Sequence, residues 1–389
     1  MPGKMLIRWF VLCVGCGFGA ALLPANAGEE QAAPEGDSPA LPVAVPANDP
    51  KLQYTGRWEL ANPAAPEAEW PASELAFTVS GGSVNLVAED RAQGTPNPIR
   101  GIWADYFTVL VGDAEPVRLG LHRQRKVYRL AENLPQGKHV IRVYKRCESH
   151  TGRIKVLGLQ LEQGARLLDP PARPRRRIEF IGDSITCAYG NEAPDKSEHS
   201  CPYTENNYLS YAAVAARALQ AEHHCIAWSG MGVFQNYGGK RGVDLMPDYY
   251  LRTLPTDTSS RWEFKRWTPD AVVINLGTND FSPKESPTRE EFNTGYAGLV
   301  KTVRANYPDA TIVCAVGCMM GGAKLETIRG YLAALIEEHA KAGDAKLHYV
   351  EFEPQKQEDG IGADWHPSVK THAKMATVLT AKLKELMGW

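Results

Sequence analysis

Between residues 52 and 168 apolar and polar positions alternate in short runs. The stretches 75–79, 83–87, 106–111, 126–130, 138–144 and 154–159 each carry the period of two of a half-buried strand. Gly81-Gly82, Gly112-Asp113 and Pro135-Gln136-Gly137 separate them as turns, and no stretch there has the period of an amphipathic helix. Many short antiparallel strands predict an all-β sandwich of jelly-roll type over 51–168. Beyond residue 178 the pattern changes. Apolar runs at 178–181, 224–228, 271–276, 311–316 and 347–352 read as strands, and the 3.6-residue periods at 206–220, 289–306, 324–341 and 367–387 read as helices. Continuous apolar strands alternating with helices predict a parallel sheet covered on both faces, hence a three-layer α/β domain over 178–389. A proline-stiffened basic hinge, 169–177, joins the two, its arginines read as solvated or ion-paired rather than as a nucleic-acid patch.

The N-terminus adds an address. Lys4 and Arg8 precede an apolar run, and Ala25-Asn26-Ala27 offers a small-x-small cleavage site, so 1–27 is expected to be a signal peptide and the chain exported. The run is short for a membrane span. An uncleaved anchor and a lipoprotein site at Cys16 are the lesser alternatives, the second weakened because Cys13 stands where a branched apolar residue is wanted. The Ala-, Pro- and Glu-rich stretch 28–50 reads as a flexible linker.

With 389 residues there is ample chain for two cores, and a formal net charge of -2 gives no footprint for nucleic acid or an anionic membrane. Of eight cysteines, the six beyond the signal form no CxxC pair. Buried free thiols are the default, and no metal or cofactor is expected.

Three predicted strands end in small polar residues: Gly182-Asp183-Ser184, Ser229-Gly230-Met231-Gly232 and Gly277-Thr278-Asn279-Asp280. Parallel strands bring their carboxyl ends to one edge, where open α/β sheets keep their ligand sites. Asp364-Trp365-His366-Pro367, before the last helix, can fold over the same edge. Together these residues supply what acyl transfer requires. Ser184 is the candidate nucleophile and His366 the base that takes its proton. The backbone N–H groups of Ser184 and Gly230 and the Asn279 amide are candidate oxyanion donors. Asp364 is the acid nearest His366 in the sequence. Trp58, Trp70 and Trp103 are sugar-binding candidates in the first domain, with core packing as the rival reading. Arg146 and Glu148 read as an ion pair at the domain boundary, as groups reaching the site, or equally as a solvated strand end. His372 is expected at the surface.

In order and context, Ser184, Gly230, Asn279 and His366 resemble the SGNH (GDSL-like) hydrolases. Lys145-Arg146-Cys147-Glu148, the stretch 178–191, Gly277-Thr278-Asn279-Asp280 and the stretch 363–368 are similar to one branch, the two-domain acetyl-esterases of carbohydrate esterase family two. The resemblance implies a metal-free serine esterase that removes acetyl groups from polysaccharides or oligosaccharides such as xylan or glucomannan, with Trp365 either a platform for the sugar or packing that holds the His366 loop; a monomer is expected. It departs at one point: most SGNH enzymes carry the orienting aspartate three residues before the histidine, where this chain has Ala363. A triad through Asp364 and a Ser-His dyad oriented by a backbone carbonyl both stay open. Two rival functions are an SGNH esterase for lipid, thioester or aryl ester, and a non-catalytic carbohydrate-binding protein.

Overall fold

A computed structural model describes residues 37–91 and 105–389. The predicted signal segment with Cys13 and Cys16, and Trp103, lie outside the described residues.

The first part is two antiparallel sheets. One runs Val43–Pro46, Ile154–Leu161, Gly82–Asp90, Val127–Leu134, with Glu67–Ala68 also on Ile154–Leu161; the other runs Leu167–Leu168, Glu74–Val79, His139–Lys145, Asp105–Val111, Val117–Leu121, with Gln53–Thr55 on Glu74–Val79. Leu75, Phe77 and Val79 from one sheet and Val84, Leu86 and Ala88 from the other share one buried cluster, as alternating strands must when each turns one face inward.

The expected linker, 28–50, is not a tether throughout. Val43–Pro46 pairs with Ile154–Leu161 as an edge strand, Val43 opposite Leu161, and Ser38 N–H donates to Val127 O at 2.9 Å. Val43 and Val45 turn toward the cluster while Ala44 and Pro46 face out, and proline is tolerated at an edge.

The second part is a five-stranded parallel sheet in the order Ala221–Ala227, Arg176–Gly182, Ala271–Asn275, Thr311–Val316, Leu347–Glu351. Its strands are apolar on both sides because helices cover both. Ile181, Val272, Ile274 and Ile312 pack against Arg289–Asn306 and Gly322–Lys341, whereas Phe180, Ala271, Val273 and Val313 pack against Tyr211–Ala218 and Val369–Met387. The basic hinge is tied down: Arg173 Nη1 meets Glu222 Oε2 at 2.6 Å and Arg176 Nη1 donates to Leu219 O at 2.8 Å. Trp58 and Trp70 are 3% and 1% exposed, so they are packing residues and not sugar platforms. Trp70 belongs to the core of the parallel-sheet domain, where its indole N–H donates to Arg252 O at 3.3 Å.

Candidate active site

The strand Arg176–Gly182, second in the sheet order, stops because Gly182 gives way to a helical turn, Ser184–Cys187, capped by Asp183, whose Oδ1 accepts from Ile185 N at 3.0 Å. A Cβ on Gly182 would lie 2.0 Å from Thr186 Oγ1, so only glycine lets the turn fold back so closely. Ser184 thereby sits at the strand's carboxyl end, 6% exposed, with its hydroxyl at the floor of a cleft.

His366 reaches it from the far end of the sequence. Ser368 caps the closing helix by accepting from Thr371 N at 3.3 Å, which fixes where Pro367 and His366 leave the helix. His366 Nε2 lies 2.8 Å from Ser184 Oγ, while Nδ1 lies 3.1 Å from Ala363 O and 3.2 Å from Asp364 O. Carbonyl oxygens only accept, so Nδ1 carries the hydrogen and Nε2 is left bare to accept from the Ser184 hydroxyl. Burial holds the imidazole below its ordinary value, against the opposing pull of those two carbonyls. The bare nitrogen of the imidazole therefore faces the serine hydroxyl.

Asp364 does not complete a triad. Its carboxylate accepts from the Tyr189 hydroxyl at 3.0 Å and from Ser200 N at 3.1 Å, and lies 2.8 Å from His199 Nδ1. The backbone explains the orientation: Asp364 and Trp365 have φ of 49° and 67°, so the left-handed turn brings the Asp364 carbonyl to the imidazole and swings its side chain away. The dyad arrangement is the one the structure contains. Tyr189, which the sequence reading passed over, packs its ring 4.3 Å from that of His366 and so links both sides of the arrangement.

Gly230 follows the adjacent strand, Ala221–Ala227, and has φ of 81°, which an L-residue adopts only with strain. Gly230, Asn279 and Ser184 line the same cleft. The Asn279 amide is not free as the sequence suggested: it donates to Met231 O at 2.9 Å and to Asp183 Oδ2 at 3.3 Å. An oxyanion there must share or displace the longer bond. Asp183 is fully buried, and burial pushes its carboxyl up to about 7 against the Ile185 N–H that opposes it. Asp280 accepts from the N–H groups of Val233, Phe234 and Gln235 at 3.1, 2.8 and 3.1 Å, bracing the loop that follows Gly230.

The cleft holds about 860 Å³, and Trp365, Tyr237, Met319, Met320 and Lys324 contribute to its walls. Trp365 is 55% exposed, with Lys196 Nζ 3.9 Å from its ring centroid. It is thus an exposed rim residue rather than core packing. Nothing in the local pattern pointed to Met319, Met320 or Lys324, which enter from the end of Thr311–Val316 and the start of the next helix.

The matched families agree with this geometry. Residues 54–171 match the carbohydrate esterase 2 N-terminal family and residues 180–374 the GDSL-like lipase/acylhydrolase family. A family two carbohydrate esterase from Clostridium thermocellum, solved in complex with cellohexaose, is 38% identical with a TM-score of 0.81, covering 87% of this chain and 99% of that one. This chain belongs to the family two carbohydrate esterases. Cellulase/esterase CelE of Acetivibrio thermocellus is 38% identical over 343 residues, 88% of this chain but only 40% of that protein's length. An acetylxylan esterase/glucomannan deacetylase of Cellvibrio japonicus is 29% identical, with 89% of this chain and 91% of that protein covered.

In this member of the family, residues away from the serine are also settled by the structure. Arg146 and Glu148 are both buried at the contact between the two parts. Arg146 pairs with Glu192 and donates through Nε to Glu205 O at 2.9 Å; Glu148 reaches Ser229. His372 is not at the surface. It is completely buried, its Nδ1 accepts from Tyr211 N at 3.1 Å, and burial pushes its imidazole down to about 3. Cys147, Cys187, Cys201, Cys225, Cys314 and Cys318 are buried and free.

Proposed function

We propose that this chain is an exported serine esterase that removes O-acetyl groups from a polysaccharide or oligosaccharide of xylan or glucomannan type, through an acyl-enzyme on Ser184. The observation that carries this reading is the 2.8 Å contact between Ser184 Oγ and His366 Nε2, with the imidazole tautomer set by two carbonyls. Ser184 Oγ attacks the acetyl carbonyl carbon as its proton passes to His366 Nε2. Negative charge gathers on the carbonyl oxygen, where the N–H groups of Ser184 and Gly230 and the Asn279 amide receive it. As the tetrahedral adduct collapses, His366 returns the proton to the departing sugar oxygen. Water then repeats the sequence on the acetyl-enzyme, releasing acetate. The carbonyls of Ala363 and Asp364 stabilise the imidazolium in each half-reaction, where a carboxylate does so in a triad.

Exposed Trp365, which lines the cleft together with Ser184, suits stacking on a pyranose. The named activity of the Cellvibrio japonicus relative and the cellohexaose complex support the same substrate class. Export rests on the sequence of residues 1–27. The test is acetate release from acetylated xylan, acetylated glucomannan and a short aryl acetate by wild type and Ser184→Ala in parallel. Release by wild type alone supports the reading. An inactive wild type removes it, and equal activity moves the nucleophile elsewhere.

A further inference from the structure

Glu148 lies at the end of the antiparallel domain, is completely buried, and reaches into the other domain. Its Oε2 accepts from Ser229 N at 2.7 Å and its Oε1 from Ser229 Oγ at 2.5 Å. Ser229 is the residue before Gly230, so the peptide that joins them carries the Gly230 N–H. Both donors of Ser229 are therefore clamped by one carboxylate, immediately before the peptide that carries the Gly230 N–H.

Glu148 is itself held on three sides. Lys145 Nζ donates to the carbonyls of Cys147 and Glu148 at 2.8 and 3.2 Å and pairs with Asp105 at 2.7 Å. Glu205 Oε1 accepts from Glu148 N at 2.7 Å, and His150 Nδ1 stands 3.3 Å from Glu148 Oε2. Burial raises the Glu148 carboxyl, but His150 and the Ser229 donors outweigh it and bring it below its ordinary value, whereas burial and the Glu148 charge push neighbouring Glu205 well up. The Glu148 charge in turn pushes His150 up to about 9. A buried ionised carboxylate is costly unless every oxygen is used. Here its hydrogen bonds are directed at the residue next to an oxyanion donor.

We infer that, on the serine-esterase reading above, Glu148 is a positioning residue that aims the Gly230 N–H at the developing oxyanion through Ser229. The antiparallel domain thus supplies part of the catalytic machinery's support and is more than a neighbour of it. The carboxylate touches no substrate. Its effect is on the preorganisation of a donor, which is felt in the transition state more than in the bound ester.

The test uses the full chain as wild type, Glu148→Gln, Ser229→Ala and the double variant, with kcat and KM on an aryl acetate, affinity for a small alkyl boronic acid that forms a tetrahedral adduct on Ser184, and Tm. Gln retains one acceptor and presents an NH2 to the other Ser229 donor, so Glu148→Gln is expected to lower kcat about 10- to 100-fold, below the loss of a whole donor, with KM within about twofold. Boronate affinity should fall by about the same factor as kcat/KM, and the double variant should be within about twofold of Glu148→Gln, because both changes break one link. A folded Glu148→Gln with unchanged kcat, unchanged boronate affinity alongside lost activity, or losses that multiply in the double variant would each overturn the proposal. If Glu148→Gln does not fold, Ser229→Ala decides: a lowered kcat at unchanged KM supports the link, and an unchanged kcat overturns it. An inactive wild type is a different result, since it removes the esterase reading itself.

Discussion

Asp364→Asn separates a dyad from a triad. In a triad, replacing the carboxylate by an amide leaves the fold intact but favours the wrong imidazole tautomer, at a cost of about 10⁴ in kcat. Here the acceptors of the His366 Nδ1–H are the carbonyls of Ala363 and Asp364, at 3.1 and 3.2 Å, and the substitution keeps both. What changes is the outer face of the loop. The Asp364 carboxylate is bonded to Tyr189, His199 and Ser200; an amide can keep one or two of these. At about 0.5–1.5 kcal/mol for each bond lost, the loop is weakened by about 1–2 kcal/mol. If all of about 1.4 kcal/mol were to appear as misplacement of His366 in the transition state, the rate would fall about tenfold. That sets the ceiling. The nearby negative charge also raises the His366 pKa, so removing it moves the acid limb of kcat/KM to lower pH. A base must be neutral, so activity at mildly acidic pH is retained or improved relative to the plateau. The assay is aryl acetate hydrolysis from pH 4.5 to 9, with His366→Ala as the reference for full loss. A fall of a thousandfold or more, or an acid limb displaced upward, would refute the carbonyl-oriented dyad.

Asp183→Asn tests the buried carboxyl next to Ser184. Its folded pKa, about 7, is above the ordinary value of 3.8, so the wild type's extra stability from this group is full below pH 3.8 and is lost as pH rises toward 7. The loss amounts to about 4 kcal/mol in all. Urea unfolding of Asp183→Asn should lack that slope, and an identical slope in both proteins would show that Asp183 does not titrate this way. Arg57→Ala should cost about 3–5 kcal/mol in the same measurement, because it leaves Glu179 buried without its guanidinium at 3.2 Å; a cost below about 1 kcal/mol would contradict the pairing. Trp365→Ala should raise KM for an acetylated oligosaccharide about three- to tenfold and leave an aryl acetate unaffected, since only the sugar needs the exposed face. Equal effects on both substrates would instead assign Trp365 to holding the His366 loop.

The positions of Ser184 and His366 were legible from strand periodicity and from the loop before the closing helix. Apolar runs fix the strands, a parallel sheet gathers strand ends at one edge, and Ser184 stands at such an end. The direction of Asp364 was not legible. Spacing gives its distance from His366, while two positive φ values in succession decide where the carboxylate points. His372 shows the opposite case, a reading that the pattern already contradicted. Positions 372, 375, 376, 379 and 383 form one buried stripe of the closing helix, and the polarity of histidine obscured a period that placed it inward. The edge strand Val43–Pro46 was hidden by averaging, since the composition of 28–50 outweighed the alternation of Val43 and Val45. Glu148 and Ser229 are 81 residues apart, and no local pattern relates them.

The contact between the two domains includes, beside its apolar residues, groups that neither can leave unpaired. Arg57, from the antiparallel domain, is completely buried, and its guanidinium meets Glu179 and the carbonyls of Tyr250 and Arg252. Glu179 lies on the strand that ends at Ser184, and its other oxygen accepts from the Tyr250 hydroxyl at 2.8 Å. Glu69 accepts from Thr256 N at 2.9 Å, and Trp70 fills the core on the far side of the boundary. An apolar contact tolerates sliding, because its energy depends on area and not on direction. A contact made of buried charges and directed hydrogen bonds does not, since a small displacement leaves an uncompensated ion. The same boundary that carries Arg57 to the nucleophile strand carries Glu148 to Ser229. Directed polar contacts across it therefore hold the two strand ends of the site, Ser184 and Gly230, in one register from outside the sheet that bears them.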